Sequence, residues 1–196
     1  MIPDPTAAAA KAALRAHHLA RRQQRSVAER SAAAASIART LLDGLAGIRT
    51  IAAFCPDETE AGHGRLPAAY TQLGARVLLP VMHRADPELH WAVDSGRLAP
   101  GRFGVLVPVG PRLGPTAMGA ADVVVLPALA VSRDGVRLGR GGGYYDRALR
   151  HARPDAVLVA LVFDDEFVDR LPAEPHDRRV TAVITPSGGW QALPAD

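Results

Sequence analysis

The sequence predicts an α/β protein: a three-layer α/β/α sandwich with a mostly parallel central sheet and N-terminal helices. Its 196 residues, 48% hydrophobic and 22% charged, are enough for one domain with a sizeable core. Several short apolar runs consist almost entirely of Val, Leu and Ile, which is typical of strands covered on both faces. These runs alternate with helical segments, as in layered α/β domains. We therefore expect a single domain over residues 1–196.

The N-terminal segment predicts two helices. It is rich in Ala, Leu and Arg and contains neither Pro nor Gly between Pro5 and Gly44. One helix is expected over residues 6–24, with Thr6 as a possible N-cap, and a second over residues 26–42. Apolar residues recur at helical spacing in the second segment and form one stripe, which predicts a buried face.

Six apolar runs in the rest of the chain predict strands. They span residues 48–54, 75–81, 105–107, 122–126, 156–163 and 180–185. Helices are expected over residues 59–73 and 143–151, with a short turn near residues 165–171. Residues 82–119 are rich in Pro and Gly and show little periodicity, so we interpret them as loop-rich.

Composition excludes several other classes. The single cysteine, Cys55, can neither form an internal disulfide nor complete a zinc site of the usual spacing, which favours a reducing compartment and a cytoplasmic protein. No apolar span of membrane length begins the chain, so we expect neither a signal peptide nor a membrane span. The net charge is only +3, and Lys11 is the only lysine among 23 Lys and Arg residues. A single retained ammonium suggests selection for that group, because Lys and Arg are not interchangeable.

The most informative stretch is residues 134–147, DGVRLGRGGGYYDR. Its glycines allow close backbone approach, and a helix beginning near Gly143 would direct free N–H groups at an anion. Arg137 and Arg140 could bind phosphoryl oxygens, and Asp146 could hold Mg²⁺ against them. Two tyrosines offer flat surfaces to a heteroaromatic ligand. The pattern therefore indicates a phosphate cradle beside an aromatic pocket.

Simpler interpretations of this stretch are less favoured. A glycine-rich turn before a capped helix would explain the glycines and Asp146, but not the added arginines and tyrosines. The stretch lacks the Gly-Lys-Ser/Thr of a P-loop, and Tyr144 stands where the third glycine of a dinucleotide fingerprint belongs. That fingerprint should also follow the first strand of the sheet, whereas this stretch lies late in the chain.

Residues 137–147, RLGRGGGYYDR, are similar to the signature of the 5-formyltetrahydrofolate cyclo-ligases, also called 5,10-methenyltetrahydrofolate synthetases. The resemblance extends to DVVVLPALA at 122–130, ALVF at 160–163, LP at 171–172, PHD at 175–177 and VIT at 183–185. The opening KAALR at 11–15 resembles the family's Lys-x-x-Leu-Arg, and DETE at 57–60 stands where the family's folate-binding Glu follows the first strand. The resemblance thus covers residues 11–185.

The resemblance implies an α/β/α sandwich and an enzyme that closes 5-formyltetrahydrofolate to 5,10-methenyltetrahydrofolate. ATP is consumed, ADP and phosphate are released, and Mg²⁺ is required. Phosphorylation of the formyl oxygen would allow N10 to attack. This chemistry needs positioning and charge neutralisation more than a nucleophile. The substrate can be a polyglutamated folate, and no nucleic acid or membrane partner is implied.

The resemblance also assigns site residues. Lys11 and Arg15, four residues apart on one helix face, would reach ATP, and Lys11 would assist catalysis. The ATP would further contact Arg137, Leu138, Gly139, Arg140, Gly141, Gly142, Gly143, Tyr144 and Tyr145. Arg140 would be the catalytic arginine near the transferred group, and Asp146 would ligate Mg²⁺. The folate would contact Glu58, Met82, Trp91, Arg140, Gly141, Gly142, Gly143, Tyr144 and Tyr145.

Three positions depart from the family pattern. Thr181 stands where a second metal-associated Asp is often found, so Asp177 is the candidate for that contact. Val131 replaces a usual aromatic residue and Val107 replaces a common Glu, and these changes could alter the pocket.

Two other functions are considered. A folate or nucleotide binder that had lost catalysis should lack Arg140 or Asp146, and both are present. A nucleic-acid-binding protein would use the arginines of the first helices: Arg15, Arg21, Arg22, Arg25 and Arg30. The near balance of charge and the absence of interleaved aromatics argue against it. The seven histidines are scattered, so no transition-metal site is expected.

Overall fold

The computed structural model of the chain describes residues 5–82, 86–101, 106–174 and 177–194. The α-helices in these ranges are α1 (Pro5–Gln24), α2 (Val27–Gly44), α3 (Leu66–Gln72) and α4 (Tyr144–Ala148). Short 3-10 helices span Pro115–Ala120, Leu149–His151 and Asp164–Glu166. None of the described helices is both long enough and apolar enough to cross a membrane.

The start of each N-terminal helix has a local cause. Ser26 caps α2, where its hydroxyl accepts a hydrogen bond from the Glu29 backbone N–H and the Glu29 carboxylate accepts one from the Ser26 N–H in return. The second predicted helix is therefore confirmed. The first is also confirmed, but it begins at Pro5, so Thr6 lies inside the helix and the expected N-cap was wrong. Proline suits the first turn, because the N–H that it lacks would have no partner there.

The strands run in chain order as follows. They are β1 (Thr50–Ala52), β2 (Arg76–Met82), β3 (Leu89–Val93), β4 (Leu98–Pro100), β5 (Leu106–Pro108), β6 (Arg112–Leu113), β7 (Val123–Pro127), β8 (Ala130–Ser132), β9 (Arg137–Leu138), β10 (Val157–Leu161), β11 (Phe167–Val168), β12 (Ala182–Thr185) and β13 (Gly189–Ala192). The main sheet has eight strands in the order β13-β12-β10-β7-β1-β2-β3-β6. From β12 to β2 neighbouring strands are parallel, whereas β13, β3 and β6 pair antiparallel at the edges.

Both faces of this sheet are covered. Alternate residues of β7 show it: Val123 and Val125 pack with α2 and α3, whereas Val124 and Leu126 pack against α4 and the 3-10 helices at Pro115–Ala120 and Leu149–His151. Successive side chains of a strand point to opposite faces, so a continuous apolar run is what a doubly covered strand requires. The predicted three-layer sandwich with a mostly parallel sheet is confirmed.

Helix α1 packs away from the main sheet, on the small sheet of β8, β9 and β11. Its Leu14 and Leu19 contact the buried Leu129, Ala130 and Leu138. Near the end of α1, Arg22 makes a two-pronged ion pair with Glu166, in which both N···O distances are 2.7 Å. Both side chains are 1% exposed, and Arg22 also donates to the Ala128 carbonyl at 2.6 Å.

Two regions differ from the expectation. The described part of residues 82–119 is not mainly loop, because β3 pairs antiparallel to β2 and brings β4, β5, β6 and a 3-10 helix after it. Antiparallel neighbours need only a short connection. In the described part of the chain no helix therefore separates β2 from β3, and the sequence lacks the alternation of strand and helix that marks the parallel strands. The helix expected over residues 59–73 is restricted to Leu66–Gln72, because Gly62 and Gly64 adopt positive φ and form turns before it. Val105, Pro175 and His176, on which expectations were also placed, lie outside the described residues.

Candidate active site

A cleft of about 520 Å³ opens where the parallel strands β1, β2 and β7 end. The chain leaves β1 for β2 on one side and reaches β7 on the other, so the cleft lies where the strand order reverses. Ligands of open α/β sheets bind at such a switch point, and this volume lies in the usual range for small-molecule sites. Its apolar walls are Phe54, Cys55, Pro80, Met82, Leu89, Pro127 and Ala128.

The glycine loop over residues 139–143 forms one rim of the cleft. Arg140 reaches across to the segment after β1, where its Nη2 lies 2.5 Å from Asp57 Oδ2 and its Nε lies 3.4 Å from Glu60 Oε1. Gly141 and Gly143 have positive φ, so the loop depends on glycine at both positions. The predicted α4 continues only as a 3-10 turn after five residues. Because α4 is so short, the binding of an anion at this rim would depend mainly on Arg137 and Arg140 and less on the N-terminus of the helix.

Arg137 and Asp146 occupy the same rim and neutralise each other. The distance from Arg137 Nη2 to Asp146 Oδ1 is 2.5 Å. The Arg137 side chain is only 5% exposed and the Asp146 side chain is 47% exposed, so the carboxylate faces the cleft over a buried guanidinium. Within the part of the chain that the structure describes, Arg137 Nε has no hydrogen-bond partner. The Asp146 carboxylate, which the sequence predicts to bind Mg²⁺, is thus already paired with the positive charge of Arg137.

Helix α1 brings Arg15 to the glycine loop but holds Lys11 elsewhere. Arg15 Nε donates to the Gly139 carbonyl at 2.9 Å. The buried Lys11 pairs with Glu174 at 2.7 Å and with Asp177 at 2.8 Å. Burial lowers the pKa of Lys11, but hydrogen bonds to these two carboxylates outweigh it and raise the pKa above its usual value, so Lys11 stays charged.

The structure does not bring Asp177 to Asp146 as a second metal contact. Neither Lys11 nor Asp177 lines the cleft. Within the described ranges, no group of three His, Cys, Asp or Glu side chains could hold a metal ion.

The residues expected at the folate are only partly at the cleft. Met82, Tyr144 and Tyr145 line it. Trp91 does not, because it lies in β3 with its side chain fully buried in the core. Leu138 is likewise buried, on the side of α1.

The acidic wall of the cleft is formed by Asp57 and Glu60, not by the expected Glu58. Glu58 is exposed and does not line the cleft. The Glu60 carboxylate accepts the Asp57 backbone N–H at 3.0 Å, and the Glu60 N–H donates to the Asp57 carbonyl at 3.0 Å. This tight turn directs residues 57 and 60 inward and residue 58 outward. The Asp-x-x-Glu spacing is a capping-type signal that could have identified Glu60 from the sequence.

Burial controls the protonation of this wall. It raises the pKa of Glu60, and the nearby Asp57 raises it further, against the opposite effect of Arg140. Burial also raises the pKa of Tyr145, and it raises the pKa of Cys55 to about 12. Both groups therefore stay protonated at neutral pH, and Cys55 is not a nucleophile.

Glu60→Gln is expected to stabilise the protein at neutral pH. A carboxyl whose pKa is raised on folding binds protons more tightly in the native state, so its contribution to stability falls as pH rises. The melting temperature of the variant should exceed that of the wild type at pH 7, and the difference should shrink below the usual carboxyl pKa. Thermal unfolding from pH 4 to pH 8 measures this. A variant that is less stable at pH 7 would contradict it.

The fold and the cleft together define an α/β/α-sandwich protein with a candidate ligand site at the switch point of the sheet. The chain belongs to the 5-formyltetrahydrofolate cyclo-ligase family, whose model matches residues 7–186. A 5-formyltetrahydrofolate cyclo-ligase of Mycolicibacterium smegmatis is 45% identical over 150 residues, which are 74% of this chain and 77% of that protein. One of Escherichia coli is 32% identical over 147 residues, 72% of this chain and 80% of that protein. The solution structure of a 5,10-methenyltetrahydrofolate synthetase from Aquifex aeolicus matches with a TM-score of 0.77 at 25% identity, covering 95% of this chain and 94% of the other.

Proposed function

We propose that this protein uses ATP to convert 5-formyltetrahydrofolate, including polyglutamated forms, into 5,10-methenyltetrahydrofolate in the cytoplasm. The observation that carries the proposal is the position of residues 137–146, which hold the family's signature and form one rim of the cleft at the end of β7. That rim combines two arginines, one exposed carboxylate and two tyrosines. Family membership supplies the reaction that this combination suits.

The proposed reaction is a phosphoryl transfer followed by ring closure. The formyl oxygen attacks the γ-phosphorus of ATP and the bond to ADP breaks. N10 then attacks the activated formyl carbon, loses its proton, and the phosphate leaves with the formyl oxygen. Such chemistry depends on positioning and charge stabilisation, which arginines and backbone N–H groups supply.

On the phosphate side, Arg140 is proposed to neutralise charge on the transferred group. Its side chain is 46% exposed and can leave Asp57 without leaving the cleft. Arg15 and Arg137 flank the same loop and would bind the remaining phosphates. Lys11 lies four residues before Arg15 on the same face of α1. We propose that its ion pair with Asp177 holds α1 in place and so keeps Arg15 beside the glycine loop.

Mg²⁺ fits this rim through Asp146. Magnesium in phosphoryl-transfer sites is commonly held by one or two carboxylates together with substrate phosphates, so a single exposed Asp beside the glycine loop is sufficient. When bound, the ion would neutralise phosphate charge. Arg137 would then release Asp146 and turn its guanidinium to the phosphates.

On the folate side, Tyr144, Tyr145 and Met82 are proposed to contact the flat ring. Glu60 takes the role that the resemblance implied for Glu58, because Glu60 lines the cleft and Glu58 does not. A carboxyl group there can pair with the amidine-like edge of a pterin, which donates N–H groups.

The test is a spectroscopic assay with 5-formyltetrahydrofolate, Mg²⁺ and ATP that follows the conjugated methenyl product. Turnover that stops when ATP is omitted would support the proposal. Binding of both ligands without turnover would instead indicate a binding protein that has lost catalysis, and binding of neither would overturn the assignment. Nucleic-acid binding is disfavoured, because Arg15, Arg22 and Arg25 are engaged within the protein.

Asp146→Asn is expected to lower turnover by about 10²-fold or more, yet to strengthen the binding of metal-free ATP by up to about tenfold. The substitution removes the metal-binding carboxylate and at the same time frees Arg137. Calorimetric titration of ATP with EDTA and with Mg²⁺ measures both effects. Asp155→Asn, at an exposed carboxylate paired with Arg153, is the control and should match the wild type. Unchanged affinity for metal-free ATP in Asp146→Asn would contradict the exchange of partners.

A further inference from the structure

Arg147 follows Asp146 in the signature and has no role in the chemistry proposed above. Among the described residues, its guanidinium contacts three groups, none of them charged. Nη2 donates to the Gly142 carbonyl at 3.0 Å, Nε donates to the Pro87 carbonyl at 2.9 Å, and Cζ lies 5.2 Å from the centre of the Tyr144 ring. Because the partners are two carbonyl groups and a ring, these contacts fix the positions of Gly142, Pro87 and Tyr144 and do not balance a charge.

The three groups lie on two segments that border the cleft. Gly142 and Tyr144 line it from the glycine loop, and Pro87 lies two residues before Leu89, which lines it from β3. Arg147 therefore joins the two segments behind the Tyr144 ring. A guanidinium can donate from two of its nitrogens to two separate carbonyls while its carbon lies over a ring, and a compact lysine ammonium does not reproduce this geometry.

The backbone beside Arg147 leaves room for this guanidinium. A Cβ added at Gly143 would lie 2.7 Å from Arg147 Nη1, so a side chain at residue 143 would displace the end of the guanidinium. A glycine at residue 143, which also has positive φ, thus keeps open the space that the side chain crosses.

We propose that Arg147 is a positioning residue that holds Tyr144 and the glycine loop at a set distance from the segment that leads into β3. Because we place the folate ring between these segments, the part of the inference that concerns folate rests on the proposed function. Arg147 does not line the cleft, so it acts through Tyr144 and Gly142 and not on the substrate. Its loss should weaken folate binding more than ATP binding.

The experiment compares Arg147→Met, Arg147→Lys and the control Arg150→Met, whose arginine is exposed on the neighbouring turn. With an active wild type, Arg147→Met should raise KM for 5-formyltetrahydrofolate by about tenfold or more and change KM for ATP much less. Arg147→Lys should restore only part of the loss. Equal increases in both KM values, or a fall in kcat alone, would overturn the folate assignment.

A second measurement needs no activity. Amide hydrogen exchange of the unliganded Arg147→Met protein should be faster in residues 139–146 and 86–90 than in the wild type, and Arg150→Met should show no change there. Unchanged exchange in both segments would overturn the positioning role, even with an active wild type. Faster exchange in Arg147→Met, together with a wild type that shows no turnover, would support the positioning role and overturn the proposed function.

Discussion

Arg140→Ala is expected to reduce turnover by about 10³-fold or more while leaving the melting temperature close to that of the wild type. Arginines that stabilise a transferring phosphoryl group contribute about 10³ to 10⁵ in kcat. Arg140 is half-exposed and its ion pairs with Asp57 and Glu60 lie at the surface of the cleft, so its removal should cost little stability. Steady-state kinetics with saturating ATP and folate measure the loss.

Asp57→Asn separates the role of the guanidinium from the role of its ion pair. This variant keeps Arg140 but removes the carboxylate that lies 2.5 Å from it. Its turnover should stay within about tenfold of the wild type, because a released arginine can still reach the phosphates. Arg140→Ala that kept a tenth of wild-type turnover, or Asp57→Asn as inactive as Arg140→Ala, would refute the assignment.

Glu166→Gln is expected to cause the largest loss of stability of the variants considered. It leaves the Arg22 guanidinium buried without a counter-charge, which typically costs about 3 to 5 kcal/mol. For a chain of this length that loss lowers the melting temperature by roughly 6 to 20 °C. Thermal unfolding measures it, and chemical denaturation gives the free energy directly.

Two further variants separate charge burial from simple loss of contact. Asp169→Asn breaks the exposed pair with Arg133, whose side chains are 64% and 89% exposed, and should change stability by at most about 1 kcal/mol. The double variant Arg22→Met with Glu166→Leu should recover most of the loss, since apolar pairs often replace buried ion pairs without cost. A single Glu166→Gln variant as stable as Asp169→Asn would contradict the expectation.

The layered fold could be predicted because its signal is local. The run at Val123–Pro127 is continuous and apolar, as a strand covered on both faces requires. Trp91 was misplaced for the opposite reason. Its strand is five residues long and gains its identity from pairing with β2, a contact that composition does not reveal.

The candidate site was predictable where the chain itself brings residues together, as in the loop from Arg137 to Asp146, which borders the cleft. It was not predictable where the geometry of a turn or a distant element decides. The choice between Glu58 and Glu60 depends on a turn closed by one side-chain hydrogen bond. Likewise, Lys11 was expected at ATP, and only the fold shows that residues 174 and 177 hold its ammonium group.

The arrangement of helix α1 also sets an order of events during synthesis. This helix is synthesised before its partners, because those of Arg22, Arg15 and Lys11 lie at Ala128, Gly139 and beyond, up to Asp177. Contacts so distant in sequence must wait for the intervening chain and are slow to form. The nascent helix therefore remains undocked until the chain as far as Asp177 has emerged from the ribosome, and the contact of Arg15 with the glycine loop forms only then.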